Sequence, residues 1–165
     1  MKRILPFILL ILLCFSACAK EEKSIRFYYP KAEFDYQSEQ SILGSEIREA
    51  PGHEENLSYL LALYLEGPVD QDLISPFPRK SAVEEYRFSD QTLEITMNER
   101  FADMDDLQHT IASACIAQTF FELTDAEQII IKYTSVRYGS KTISLTKDSL
   151  VLTDNAVVPS QPAEP

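Results

Sequence analysis

His53, His109, Cys115 and the carboxylates Asp103, Asp105 and Asp106 are the side chains whose types could support catalysis or metal binding. His53 stands in Pro51-Gly52-His53-Glu54-Glu55, a loop ahead of a helix. His109 falls four residues after Asp105 on a second expected helix, and an i, i+4 Asp–His pair can orient an imidazole for base or metal work. The commoner outcome of that spacing is a surface pair contributing about 0.3 kcal/mol. The three aspartates could hold a hard cation, but no glycine follows as in a calcium loop, and helix capping accounts for them: Asp103 is the expected cap, with Asp106 three residues on in the manner of a capping box. Cys115 sits in the apolar run Ile111-Ala112-Ser113-Ala114-Cys115-Ile116 and reads as a small buried hydrophobe. There is no HExxH or CxxC and no G-x-S-x-G elbow. With only four glycines there is no glycine-rich phosphate loop either. No catalytic, cofactor-binding or metal residue is therefore assigned, and the chain is not expected to be an enzyme.

The elements around these residues follow from periodicity. Ile25-Arg26-Phe27-Tyr28-Tyr29 is rich in strand formers and stops at Pro30. A second extended piece falls between Ile42 and Glu49. Leu57, Leu60, Leu61, Tyr64 and Leu65 recur at i, i+3, i+4, i+7 and i+8, one face of a helix. Glu54 and Glu55 lie near its start, and Gly67-Pro68 ends it. Prolines 76 and 78 make 69–78 a loop, with Leu73, Ile74 and Phe77 as core plugs. Ala82, Tyr86 and Phe88 share one face of a strand. Across a turn at Ser89-Asp90-Gln91, Leu93, Ile95 and Met97 alternate with Thr92, Glu94 and Thr96, the period of a strand with one buried face. Phe101 is a further plug. The second helix presents Leu107, Ile111, Ala114 and Phe121 on one face, with Ile116 and Phe120 around its side. Gln128 to Tyr133 is apolar on both faces and so a central strand. Ile143 and Leu145 alternate in another, and Leu150-Val151-Leu152 closes the apolar content. The order β-β-α-loop-β-β-α-β, with no internal repeat, predicts an α+β fold: a mainly antiparallel or mixed sheet with two helices packed on one face.

The N-terminus carries a different signal. Met1-Lys2-Arg3 is basic, Ile4 to Leu13 is almost wholly apolar, and Phe15-Ser16-Ala17 leads to Cys18. A basic flank, an apolar core too short to span a bilayer and small residues before a cut site make a secretory signal. The cysteine after them resembles the lipobox of bacterial lipoproteins, with Phe15 where a leucine is usual. The resemblance implies lipidation of Cys18 and cleavage just before it; the alternative is an apolar N-terminus without lipid. Two acyl chains anchor stably where one is marginal, so the expected location is the extracytoplasmic face of the cell membrane. Segment 1–17 is then the signal, 18–24 a tether, 25–152 the domain and 153–165 a proline-rich tail. Loss of Lys2 and Arg3 takes the formal net charge from -11 to -13, which excludes nucleic-acid binding through a basic surface.

Several residues together resemble the GerMN domain, the sporulation and spore germination module of many Gram-positive lipoproteins. They are Leu65-Glu66-Gly67-Pro68, then Ser75-Pro76-Phe77-Pro78, the strand Leu93 to Asn98, Phe101, Gln118-Thr119-Phe120 and Ile129-Ile130-Ile131. The likeness covers about Ile25 to Tyr133. The turn has Asp90-Gln91 where the family often has Asp-Gly, and Thr96 or Asn98 stands where an aspartate is usual. The resemblance implies a fold similar to ring-building modules. It also implies protein contacts rather than chemistry: an assembly module of the cell envelope with an envelope protein partner or a homo-oligomer, and no catalytic residues to carry over. Gly67 would stop the helix, and Pro68, Pro76 and Pro78, with Ser75, would stiffen the loop. Ile116, Phe120, Phe27, Tyr28, Tyr29, Phe34 and Tyr36 are either core or contact surface, with core the commoner fate of such side chains. The competing expectation is a small-ligand-binding or hydrolytic surface lipoprotein.

Overall fold

One cluster of buried apolar residues, from Ile25 to Ile131, runs through the molecule and includes much of the longer helix. The computed structural model describes residues 24–33, 41–136 and 139–149, and the backbone of 152–153 and 156–157. The signal segment, Cys18, Phe34, Tyr36, Val151 and the tail beyond Val157 lie outside them. The elements are β1 (Ile25–Pro30), β2 (Leu43–Arg48), α1 (Leu57–Leu65), β3 (Val83–Ser89), β4 (Thr92–Met97), a 3-10 turn (Glu99–Asp103), α2 (Asp106–Leu123), β5 (Gln128–Ser135) and β6 (Gly139–Thr146). The short β7 (Leu152–Thr153) and β8 (Ala156–Val157) pair with each other.

The expected alternation in β4 is present: Leu93, Ile95 and Met97 are buried, and Thr92, Glu94 and Thr96 are half-exposed. β4 and β5 are the central strands of a four-stranded sheet ordered β3-β4-β5-β6. β3–β4 and β5–β6 are antiparallel hairpins, whereas β4 and β5 run parallel, so the sheet is mixed. A parallel pair needs a long crossover, supplied here by the 3-10 turn and α2. Leu93 opposes Ile129 and Ile95 opposes Ile131, which builds a dry inner face. On the outer face Lys132 Nζ donates to Glu94 Oε2 at 2.9 Å, and that hydrogen bond holds the Glu94 carboxyl below its ordinary range.

α2 lies between this sheet and β1. Residues 112–117 are all buried, with Thr119 and Phe120. The helix has partners on two sides, so its apolar arc is wider and differently centred than one face would be. Leu107 is left 54% exposed, and Ile111 and Phe121 are half-buried. Its N-cap is Asp105, not Asp103: Asp105 Oδ1 accepts from Gln108 N at 2.8 Å and Gln108 Oε1 accepts from Asp105 N at 3.0 Å, a reciprocal capping box. Asp103 instead ends the 3-10 turn and pairs with Arg100.

α1 buries Leu60, Leu61 and Tyr64, with Leu57 and Leu65 packed at the rim. Asn56 caps it through a bond from Tyr59 N, so Glu54 and Glu55 precede the helix. Tyr64 is the hub of the core. Its ring stacks on Tyr29 at 4.9 Å and meets Phe77 and Phe120 edge-on. Its hydroxyl donates to Tyr28 O, and Tyr29 donates to Tyr64 O. Burial raises the pKa of both phenols well above its ordinary value, so both stay neutral donors. Of the aromatic and apolar side chains that might have formed a contact surface, Phe27, Tyr29, Ile116 and Phe120 are core, and Tyr28 is half-buried with its hydroxyl on Glu122. Among the loop plugs, Leu73 and Phe77 are buried but Ile74 is exposed, because the chain there bonds along the β1 edge through Ile74 N to Pro30 O and turns that side chain outward.

The β3–β4 turn places Asp90 at φ +50 and Gln91 at φ +57, the signature of a two-residue type I′ hairpin. Left-handed backbone is costly for residues with a Cβ. Gln91→Gly should therefore raise stability by about 0.5–1 kcal/mol, read as a higher urea midpoint at unchanged slope. A lower midpoint would show that the glutamine side chain holds the turn.

Candidate interaction surface

The segment after α1 is held by a pair of charges from β2. Glu46 and Arg48 lie two apart on one face of the strand, with side chains 8% and 11% exposed. Arg48 Nε donates to Glu46 Oε1 at 2.6 Å. The remaining guanidinium nitrogens donate to Leu63 O at 3.1 Å and to Gly67 O, satisfying carbonyls that the helix end leaves open. Glu46 Oε2 accepts from Val69 N at 2.9 Å and Asp70 N at 3.0 Å. The guanidinium carbon also sits 5.6 Å from the Phe27 ring centre. One ion pair thus ties β2, the C-terminus of α1 and the loop into one rigid corner.

The motif residues occupy that corner. Gly67 has φ +88, and a Cβ there would lie 3.2 Å from Ser75 Cβ, so the chain on either side of the loop approaches too closely for a side chain. Pro68 leaves Val69 N as the first free donor for Glu46. Ser75 Oγ accepts from Phe77 N at 3.3 Å, directing Phe77 inward. Pro76 and Pro78 are half-buried beside it.

Beyond this corner a groove of about 500 Å³ opens between α1 and the edge strand β3. Leu61, Ala62 and Leu65 form one wall, and residues 80–86 form the other, with Glu66, Glu84 and Glu85 at its rim. Lys80, in left-handed backbone at φ +70, is held by Asn98 Nδ2 donating to its carbonyl at 2.9 Å. Tyr86 and Phe88 lie opposite Ile95 and Leu93, on the helix-bearing side of the sheet. They are nevertheless 40% and 43% exposed, because neither helix reaches over the end of β3. Ala82 is exposed too. Strand alternation puts Ala82 on the face of Tyr86 and Phe88, but the extra residue at Glu84 shifts the alternation, so Val83, opposite Met97, takes that face instead; nor could alternation show that the face runs out from under its cover.

The residues singled out for chemistry are dispersed. His109 Nε2 lies 2.8 Å from Phe101 O and its ring stacks on Tyr133 at 4.8 Å, so it joins the 3-10 turn to β5 rather than pairing with Asp105. His53 stacks on Tyr59. Cys115 is buried in α2, and burial pushes its thiol far above the usual range. Among the described residues no three His, Cys, Asp or Glu side chains gather as metal ligands, and no helix is long and apolar enough to cross a membrane.

The fold is GerMN-like. The tandem GerMN domains of the sporulation protein GerM from Bacillus subtilis superpose with a TM-score of 0.51 at 16% identity, over 73% of this chain and 44% of that one. The chain thus spans less than half of the tandem structure. A Clostridium perfringens protein provisionally assigned as a lipoprotein aligns over 77% of this chain and 89% of its own, with a TM-score of 0.47 at 14% identity. No protein-family profile and no curated protein matches the sequence.

Two outcomes follow from the corner and the core. Glu46→Ala, which strands a largely buried guanidinium and frees two loop amides, should cost about 3 kcal/mol in urea unfolding, whereas Glu94→Ala on the outer sheet face should cost clearly less. Equal losses would show that the corner is not the stronger tie. Cys115 should resist alkylation in the folded chain and react fully once unfolded, as mapped by peptide mass spectrometry; rapid labelling of the native protein would contradict its burial.

Proposed function

We propose that this chain is a lipid-anchored, extracytoplasmic interaction module that assembles with protein in the cell envelope, in the setting of sporulation or germination. The observation that carries the reading is the uncovered apolar strip of Tyr86 and Phe88 beside the groove, set on a scaffold made rigid by the Glu46–Arg48 corner. A pre-formed surface binds with little ordering cost, and aromatic side chains at a polar rim are the usual anchors of protein contacts. The GerMN-like fold supports the setting, since GerM is a sporulation protein. The lipobox-like segment ending at Cys18 supports the anchor. The small-ligand reading has weaker support: the groove has the volume of a ligand site, but its rim is open and acidic.

Metabolic labelling with a fatty acid, followed by crosslinking and affinity recovery from vegetative and sporulating cells, tests both halves. The expected result is a labelled, membrane-bound chain that loses label and membrane association in Cys18→Ala. A stoichiometric protein should be recovered with it, enriched in sporulating cells. Label retained in the variant would refute the anchor. Recovery of the chain free of any protein contact in both states would refute the module and favour a small ligand.

A further inference from the structure

Among the described residues β3 pairs with β4 on one side only, so its other side is a free sheet edge. Such edges are commonly blunted by prolines, inward charges or bulges. β3 has one irregularity, the extra residue at Glu84, and from Glu85 to Ser89 it runs in unbroken register with β4. The turn closes on the pair Ser89–Thr92, which is hydrogen-bonded in a two-residue hairpin, and bonding alternates from there. The backbone N–H and C=O of Tyr86 and Phe88 therefore point outward, away from β4.

We infer that β3 is a self-pairing edge, joining two copies of this chain antiparallel about a two-fold axis at Tyr86. Charge selects that register. With the axis at Tyr86, Glu85 of each copy lies directly opposite Arg87 of the other, twice over, on the solvent face. An axis at Arg87 would set two guanidinium groups against each other, and an axis at Glu85 two carboxylates. Opposite charges stabilise cross-strand positions and like charges destabilise them. Both side chains are exposed, and the only ion pair between them and the described residues is Arg87 with Glu94 at 3.7 Å.

The other face agrees. Tyr86 meets Tyr86 of the second copy at the axis, placing two aromatic rings side by side. Phe88 of the second copy falls opposite Glu84, at the mouth of the groove walled by Leu61, Ala62 and Leu65. The pairing would thus satisfy the free backbone groups, cover both exposed aromatics and place a side chain at each groove. Two-fold contacts of this self-complementary kind are the commonest in homo-oligomers. The inference supplies a partner for the module proposed above and rests on that reading for its setting in the envelope.

The test uses the full chain in membranes of expressing cells, with Tyr86→p-benzoylphenylalanine as a photo-crosslinker. A product of twice the chain mass, with crosslinked peptides from β3, is expected. Glu85→Arg and Arg87→Glu, each added alone, should cut its yield at least about tenfold, and the two together should restore it. Rescue by the double exchange requires contact across a two-fold axis and does not arise from a general loss of folding. No self-crosslink, or no rescue, overturns the pairing. A crosslink to a different protein also overturns it while leaving the interaction-module reading standing.

Discussion

The largely buried Glu46–Arg48 pair is the constraint on which the rest of the arrangement hangs. A lone charge at that depth would be costly. Here both partners are bonded in several directions: one carboxylate oxygen holds the guanidinium, the other holds two loop amides, and the guanidinium bonds Leu63 O in the last turn of α1 and Gly67 O just beyond it. The pair therefore acts as a positional lock more than as a source of Coulomb energy. It sets where α1 ends, which sets where Tyr64 points, and Tyr64 is the ring through which β1, α1, α2 and the loop meet.

Around that corner the tyrosine hydroxyls of the core are hydrogen-bonded, whereas Ser113 Oγ in α2 is buried with no partner among the described residues. The Tyr64 hydroxyl donates to Tyr28 O, the Tyr29 hydroxyl donates to Tyr64 O, and Tyr28 N donates to Thr119 Oγ1 of α2 at 3.0 Å. These bonds fix the helix against β1 in one rotation, where an all-aliphatic contact would tolerate several. The consequence is asymmetric. One end of the molecule is closely tied, and among the described residues the edge at β3 is left without a further strand. Its aromatic residues Tyr86 and Phe88 stay partly exposed there.

Much of this was legible in the chain. The α1 face, the alternation of β4, the central position of β5 and the plug at Phe101 follow from spacing alone, since a half-buried element repeats its apolar residues at its own period. The mixed sheet was within the expected class, although the parallel β4–β5 pairing could not be read from either strand. α2 was read as a helix with the wrong cap and the wrong centre. Two carboxylates near its start, two residues apart, offer a capping pattern, and only the 3-10 turn ending at Asp103 decides between them. Its apolar residues cover so much of the circumference that periodicity could not say which arc would be buried.

The candidate surface was the least legible part. Glu46 and Arg48 are two ordinary charges in a polar strand until the helix end is brought over them. Tyr86 and Phe88 look like core until the length of the covering helices is known. The amino-acid sequence by itself determined the elements, their buried periods, the acidic charge and the signal-like N-terminus, because those depend on neighbours within a few residues. The tertiary structure alone decided which charges are buried, which helix face is central and which sheet edge stays open. Each of these is set by contacts between segments distant along the chain, and no local period encodes them.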